Sequence, residues 1–344
     1  MNPEVSEFKY KPLTCKELVA RYQEEENHPE GSLIRFNLGS NEYVGTLTQP
    51  ITNDNQDNIA AEIIFNPAPI NESMLVARVE PSEPESRIAL FYRNGDIYEP
   101  IENMVRMNSQ DPFYNDELDI FGDVEILETD EQGNVLNYQT HFYRFNKDIR
   151  NMESIAIGPP KMKDIRLVKL EEGKIGVFVR PQGEKYQEGK IGYFEIGSLD
   201  DLQAGLDSWE ERADMLMDYF AEKEWGGINY ATQLEDDRIG VIGHIAHFQD
   251  GKKNYYAFEA IYDPQTGEMS EAQIIAAASD LSPELGVKPI KKDLGLVTFP
   301  GGIYKNKERK TILVCGVADD CAAQFPLKKP LWNGLRPMSE LESF

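Results

Sequence analysis

The chain is poor in the features that several function classes need. It has three cysteines in 344 residues, Cys15, Cys315 and Cys321, and their spacing matches no metal-ligand pattern. Three thiols cannot all pair, which fits a reducing compartment and points to the cytoplasm. No apolar run approaches about 20 residues, so no membrane-spanning helix is expected. Residues 1–10 are acidic and lack the apolar stretch of a secretory leader. Basic residues are outnumbered, 35 against 60 acidic, for a net charge of −25. A surface of that sign repels nucleic acid and anionic membranes. The Gly-rich phosphate loops, the Gly-x-Ser-x-Gly elbow and the His-Glu-x-x-His pair are missing, which counts against nucleotide and zinc-protease chemistry. Of the four histidines, His244 and His247 fall on opposite faces of one strand and do not share a metal.

What is present is mostly strand signal. Short β-branched or aromatic segments recur at 33–36, 74–79, 88–92, 119–127, 135–143, 165–170, 174–179, 190–196, 239–248, 255–262, 294–299 and 311–316. Turn residues separate them, including 171–173, Asp250-Gly251 and 263–267. Two stretches read as helix. Thr14 with Glu17 three residues on is a capping box for a helix running to about Glu25. Leu199, Leu202, Leu206, Trp209, Met215, Met217, Tyr219 and Phe220 give a helical apolar spacing over 199–222, behind a Ser198 cap. That insertion would cover one end of the molecule or offer a partner surface.

One row of short motifs organises the chain. Asn66-Pro67, Gln110-Asp111-Pro112-Phe113, Lys163-Asp164, Glu224-Trp225-Gly226-Gly227 and Phe299-Pro300-Gly301-Gly302 follow at intervals of 45, 53, 60 and 75 residues. Several short strands per unit, at a period of about 40–50 residues, mark a β-propeller. The expected fold is therefore all-β: a single five-bladed β-propeller over 26–344, a helical appendage over 1–25, and a helical insertion near 199–222. A sandwich is the structural alternative. Polar residues at the same point of each unit would converge on the central axis and make a site there.

The residues of that row suit carbohydrate chemistry. Asp111 before a proline sits at a strand entry, where a carboxylate can protonate a leaving oxygen. Lys163, Arg180 and His244 form a mixed set of donors for an anion, with Arg166 close in sequence. Asp164 and Glu224 are further carboxylates for acid–base work. Glu224-Trp225 places an aromatic face beside a carboxylate, as sugar binding needs. Arg78 and Glu80 alternate to one face and either join the cluster or pair with each other.

In this order the motifs resemble those of glycoside hydrolase family 130, the five-bladed mannoside phosphorylases and hydrolases. The matches are Asn66-Pro67, Asp111-Pro112, Lys163-Asp164, Arg180-Pro181, His244, Val297 to Gly302, and Gly316-Val317-Ala318-Asp319, spanning residues 60–325. The resemblance implies that Asp111 is the proton donor and that Lys163, Arg180 and His244 bind phosphate. It places Asn66, Asp319 and their neighbours at the sugar, and implies no organic cofactor, with inorganic phosphate as candidate co-substrate. Gln110 and Phe113 depart from the family's Glu-Asp-Pro-Arg motif and alter the charge around Asp111. The chain resembles still more closely an uncharacterised family of the same superfamily, through 162–167, 180–183, 224–227 and 243–246.

The expected function is a glycosidase or glycoside phosphorylase acting on a small oligosaccharide, mannose-containing by the resemblance. The alternative is a sugar-binding or sensing propeller without catalysis. A protein-interaction propeller using the 199–222 helices is a third reading, and a homo-oligomer stays open.

Overall fold

The computed structural model describes residues 13–37, 42–44, 63–80, 86–131, 135–289 and 292–341. The acidic stretch 1–10 lies outside them. The chain is all-β with few, short helices, and its strands fall into five antiparallel units taken in chain order. The first is Ile63–Asn71, Met74–Glu80, Arg87–Asn94 and Ile97–Met107. The second is Ser109–Asn115, Ile120–Thr129, Val135–Arg144 and Glu153–Ile157. The third is Arg166–Lys169, Ile175–Val179, Ile191–Ile196 and Asp214–Leu216. The fourth is Trp225–Gln233, Ile239–Gln249 and Lys252–Asp263, edged by Glu268–Met269 and Gln273–Ala276. The fifth is Leu294–Lys305, Thr311–Val317 and Cys321–Pro326, completed by Ser32–Leu33 from the other end of the chain.

Alternation explains why these strands are apolar on both sides. Successive side chains of a strand point to opposite faces, and each face here meets a different neighbour. In Met74–Glu80, Leu75, Ala77 and Val79 pack with Ile312 and Val314 of the fifth unit, while Val76 packs with Phe121 and Tyr143 of the second. In Ile175–Val179, Val177 joins Phe142 of the second unit and Phe178 joins Phe258 of the fourth. Leu313, Cys315 and Val317 of the fifth unit meet Ile242 and Ala257 of the fourth. Each of these apolar clusters thus lies between successive units, and one lies between the fifth and the first. Short parallel pairings add to this, with Tyr255 opposite Val297 and Phe36 opposite Tyr98.

The first strand of each unit lies innermost. Ile63–Asn71 contacts the first strands of the second and fifth units, and Trp225–Gln233 contacts those of the third and fifth. The motif row sits on these strands, and that is what builds the site.

The first helix forms as its capping box requires. It spans Cys15–Gln23; the Thr14 side chain accepts from the Glu17 N–H and the Glu17 carboxylate accepts from the Thr14 N–H. Cys15, Leu18 and Tyr22 are buried against the fourth unit.

The stretch 199–222 departs from the helical expectation. Helix covers Leu202–Asp207 and Trp209–Arg212, preceded by one 3-10 turn at Leu199–Asp201. Ala213 turns extended (φ −77°, ψ 124°), and Asp214–Leu216 then pairs with Ile191–Tyr193 as the outer strand of the third unit. Leu202, Leu206 and Trp209 are buried on Phe194 and Ile196, which spends most of the apolar stripe on the sheet, while Met217 stays exposed. Among the described residues, no helix is long and apolar enough to cross a membrane.

Candidate active site

Irregular strands create the site. The innermost strands break register at Phe65/Ala68, Gln110/Phe113, Ile228/Tyr230 and Pro300/Gly302. Each break is a bulge, which leaves a residue unpaired and re-aims its side chain. Asn66 (φ 45°), Asp111 (φ 47°) and Asp164 (φ 58°) occupy left-handed backbone, a conformation Asn and Asp tolerate better than most residues. Pro67 and Pro112 follow two of them and carry no N–H for the ladder to satisfy. Gly301 is obligatory for a different reason. A Cβ there would lie 1.6 Å from the Pro67 carbonyl oxygen, so the first and fifth units meet backbone to backbone.

Asp111 is the hub. It is buried, and Asn66 Nδ2 donates to its Oδ1 at 2.9 Å. Lys163 Nζ lies 3.4 Å from Oδ2 and Arg78 Nη1 3.6 Å from Oδ1. Burial alone would raise the Asp111 pKa, but Lys163, then Arg78, then the Asn66 hydrogen bond outweigh it and bring it down to about 2. Burial opposes the Lys163 charge, and Asp111 with Asp164 overcomes that, so its pKa is raised. Arg78 also donates to Glu80 and stacks 4.8 Å from the Phe65 ring centroid, so the alternatives of pairing and of joining the cluster are both realised.

The second half of the cluster centres on Asp164. Its Oδ2 accepts from Arg180 Nη1 at 3.2 Å. Arg180 donates as well to the carbonyls of Gly226 (2.8 Å) and Glu188 (2.7 Å), which fixes its plane. Arg180 in turn holds the Asp164 pKa down against burial. His244 is buried, and its Nδ1 lies 2.8 Å from Asn229 Oδ1, which assigns the proton to Nδ1 and leaves Nε2 an acceptor. Burial is the main cause of its pKa falling to about 3, so the ring is neutral at physiological pH. Arg166 donates to the Asn229 and Ile165 carbonyls and lies 4.0 Å over the Phe113 ring. Burial lowers its pKa to about 10, which leaves it charged at neutral pH. Phe113, where the family 130 motif has arginine, thus carries a cation stacked on it.

Three buried atoms in this cluster have no protein partner: Asn66 Oδ1, Asp164 Oδ1 and Asn229 Nδ2. Asn66 Oδ1 lies against Gly316, while Asp164 Oδ1 and Asn229 Nδ2 are an acceptor and a donor left over beside Arg180 and His244. Lys163, Arg78 and Glu80 retain side-chain exposures of 32%, 14% and 27%, so the cluster opens to solvent on their side.

Two expected site residues are elsewhere. Glu224 accepts from the Cys15 N–H through both carboxylate oxygens, at 2.8 and 2.9 Å, and so caps the first helix. Its pKa is raised, chiefly by burial. Trp225 is buried beneath Phe248 (ring centroids 5.1 Å apart) and beside Tyr255, and offers no open face to a sugar. Asp319 lies in the turn between Thr311–Val317 and Cys321–Pro326, in left-handed backbone, three residues from the Gly316 on which Asn66 packs.

The sequence reading missed Asn229 and Tyr138. Asn229 stands at a bulge, and an asparagine inside an otherwise apolar strand was the available signal. Tyr138 donates to Gln182 Oε1 and lies within electrostatic range of Lys163, Arg180, Asp164 and Asp111. Nothing in its local sequence separates it from an ordinary strand tyrosine.

A family model described as "Protein of unknown function (DUF1861)" matches residues 54–333. No protein of curated function matches the sequence. Among solved structures, a mannose phosphorylase from Leishmania mexicana in complex with phosphate ion superposes with a TM-score of 0.72 at 24% identity, over 91% of this chain and 92% of that one. A GDP-Man-dependent mannosyltransferase from the same organism gives 0.74 at 23% identity, over 95% and 98%. The β-1,2-mannobiose phosphorylase of Listeria innocua gives 0.51 at 12% identity, over 86% and 94%. At these identities the likeness is one of fold.

Proposed function

The chain belongs to the DUF1861 family, and we propose that it is a carbohydrate-active enzyme, a glycoside phosphorylase, built on a single five-bladed β-propeller. The five units are read as blades. The apolar cluster between the fifth and first units, and Ser32–Leu33 pairing with Cys321–Pro326, support closure of the ring.

One observation carries the choice of phosphorolysis over hydrolysis. An inverting hydrolase needs a second free carboxylate about 6.5–9.5 Å from the acid to activate water. Around Asp111 the nearest groups are Lys163, Arg78 and Asn66; Glu80 is bonded to Arg78, and Asp164, unpartnered at Oδ1, is held at Oδ2 by Arg180, which lowers its pKa and makes it a weak base. Arg78, Lys163, Arg166 and Arg180 outnumber Glu80, Asp111 and Asp164 by one charge. A cationic site whose carboxylates are weak bases suits an anionic nucleophile. Phosphate held beside Lys163 and Arg180 attacks the anomeric carbon. The glycosidic C–O bond breaks as the new C–O bond to phosphate forms. Asp111 rests as a carboxylate and relays the phosphate hydroxyl proton to the leaving oxygen. The bound anion offsets Lys163 and Arg78 and so raises the affinity of Asp111 for that proton.

The low pKa of Asp111 also favours a second reading, a sugar-binding propeller in which the carboxylate only accepts hydroxyls. Proton NMR separates the two. The protein is incubated with manno-, gluco- and galacto-disaccharides, with and without phosphate, and in one arm with GDP-mannose. A sugar 1-phosphate that forms only with phosphate, and is lost in Asp111→Asn, supports the phosphorylase. Free sugar released without phosphate overturns it in favour of hydrolysis. Transfer from GDP-mannose overturns it in favour of a transferase. Binding without turnover leaves the sugar-binding reading.

A further inference from the structure

Trp225 is buried, but the ring that covers it is not. Phe248 is 51% exposed, more than any other large apolar side chain among the described residues. It heads a chain of rings that leads into the candidate site. Phe248 lies 5.1 Å from Trp225, Trp225 6.0 Å from Tyr255, Tyr255 5.6 Å from His244, and His244 5.0 Å from Phe299, centroid to centroid. Pairing explains the alignment. Trp225 is opposite Ala246 and Ala246 opposite Tyr255, so all three share a face. His244 and Phe248 flank Ala246 at two residues on the same strand and share that face too.

Phe248 is therefore fixed to a paired strand and backed by a large ring, which makes it a rigid platform. It stands four steps along the strand from His244, about 13 Å, beyond the span of one sugar ring. Lys253, opposite Phe248 across the ladder and paired with Asp293 at 3.2 Å, supplies polar groups at the platform's edge. An aromatic face with polar atoms at its rim is what a pyranose, apolar on its C–H face and hydroxylated around it, binds.

We propose that Phe248, seated on Trp225, forms a distal sugar subsite that receives a unit remote from the bond being broken and makes the enzyme prefer oligosaccharides to disaccharides. This rests on the carbohydrate-enzyme reading, which supplies the occupant through continuity with the candidate site.

The test uses the full chain and manno-oligosaccharides from di- to tetrasaccharide. Initial rates with phosphate are combined with binding followed by tryptophan fluorescence, for which Trp225 lies directly under the platform. In Phe248→Ala the ratio of kcat/KM for tetrasaccharide over disaccharide is expected to fall about tenfold, carried by KM. Phe248→Trp should restore it. An unchanged ratio in Phe248→Ala overturns the subsite while leaving the enzyme reading in place. So does an equal loss at every length that Phe248→Trp fails to restore, since that marks a structural role. If the wild type neither turns over nor binds any of the oligosaccharides, the enzyme reading fails and the subsite with it.

Discussion

Asp111 and His244 are kept in one protonation state by their surroundings, and both respond to acid with the same sign. The Asp111 pKa is near 2 in the folded chain against about 3.9 when unfolded. Its contribution to stability is full above pH 4 and is lost as pH falls towards 2, with a size of about 2 kcal/mol. His244 is near 3 when folded and about 6.5 unfolded, so the unfolded chain takes up a proton that the native site refuses. Stability conferred by the neutral ring is present above pH 6.5 and declines between there and pH 3. Glu259 and Asp320, which burial raises to about 7 and about 6, titrate in the same window with the opposite sign, so the readout is the difference between variants: the urea midpoint of His244→Gln should gain on the wild type as pH falls from 7 to 4. A difference that does not change with pH would mean that His244 is charged in the native state. At this scale much of the site was legible: Asn66, Asp111, Lys163, Asp164, Arg180 and His244 stand in motifs, and the structure brings them together. The partners of Glu224 and Trp225, Cys15 at a separation of 209 residues and Phe248, were invisible to local spacing.

At the scale of elements, Glu224 is a capping group. It receives the Cys15 N–H of the helix Cys15–Gln23, while Thr14 and Glu17 satisfy two more backbone N–H groups. A carboxylate at a helix N-terminus contributes about 1 kcal/mol through the hydrogen bond and the helix dipole. Glu224→Ala should lower the urea unfolding free energy by about that much and leave turnover at wild-type level. Loss of turnover with intact stability would instead return Glu224 to the chemistry. The first helix and the hairpin turns followed their local patterns: the capping box at Thr14 and the turns at 171–173 and Asp250-Gly251 formed as expected. The innermost strands of the first, second and fourth units did not read as strands, because Asn66-Pro67, Asp111-Pro112 and Gly226-Gly227 are turn residues by composition. They are tolerated there because bulges and close approach need them. The stretch 213–219 was read as helix because Met215, Met217 and Tyr219 continue an apolar run. Their spacing of two is a strand period, and pairing with Ile191–Tyr193 decided it.

Across the whole molecule, the contact of the fifth unit with the first and the candidate site share a junction. Gly301 of the fifth unit lies against the Pro67 carbonyl, and Asn66, one residue before, holds Asp111 of the second unit. Gly301→Ala should force these backbones apart, at about 1–3 kcal/mol of stability, and weaken substrate binding through a displaced Asn66. Equilibrium unfolding and sugar titration of the variant check both. Unchanged stability would mean the fifth and first units are not locked backbone to backbone. The sequence by itself determined that the chain is mostly β and that Asn66, Asp111, Lys163, Asp164, Arg180 and His244 stand in motifs. Those follow from strand periodicity and from residue types with specific backbone tolerances, both of which are local. Only the tertiary structure decided which carboxylates are spent on structure, that the His244 ring is neutral and that Phe248 rather than Trp225 faces solvent. Those depend on burial and on partners from distant segments, because desolvation and charge act through space and not along the chain.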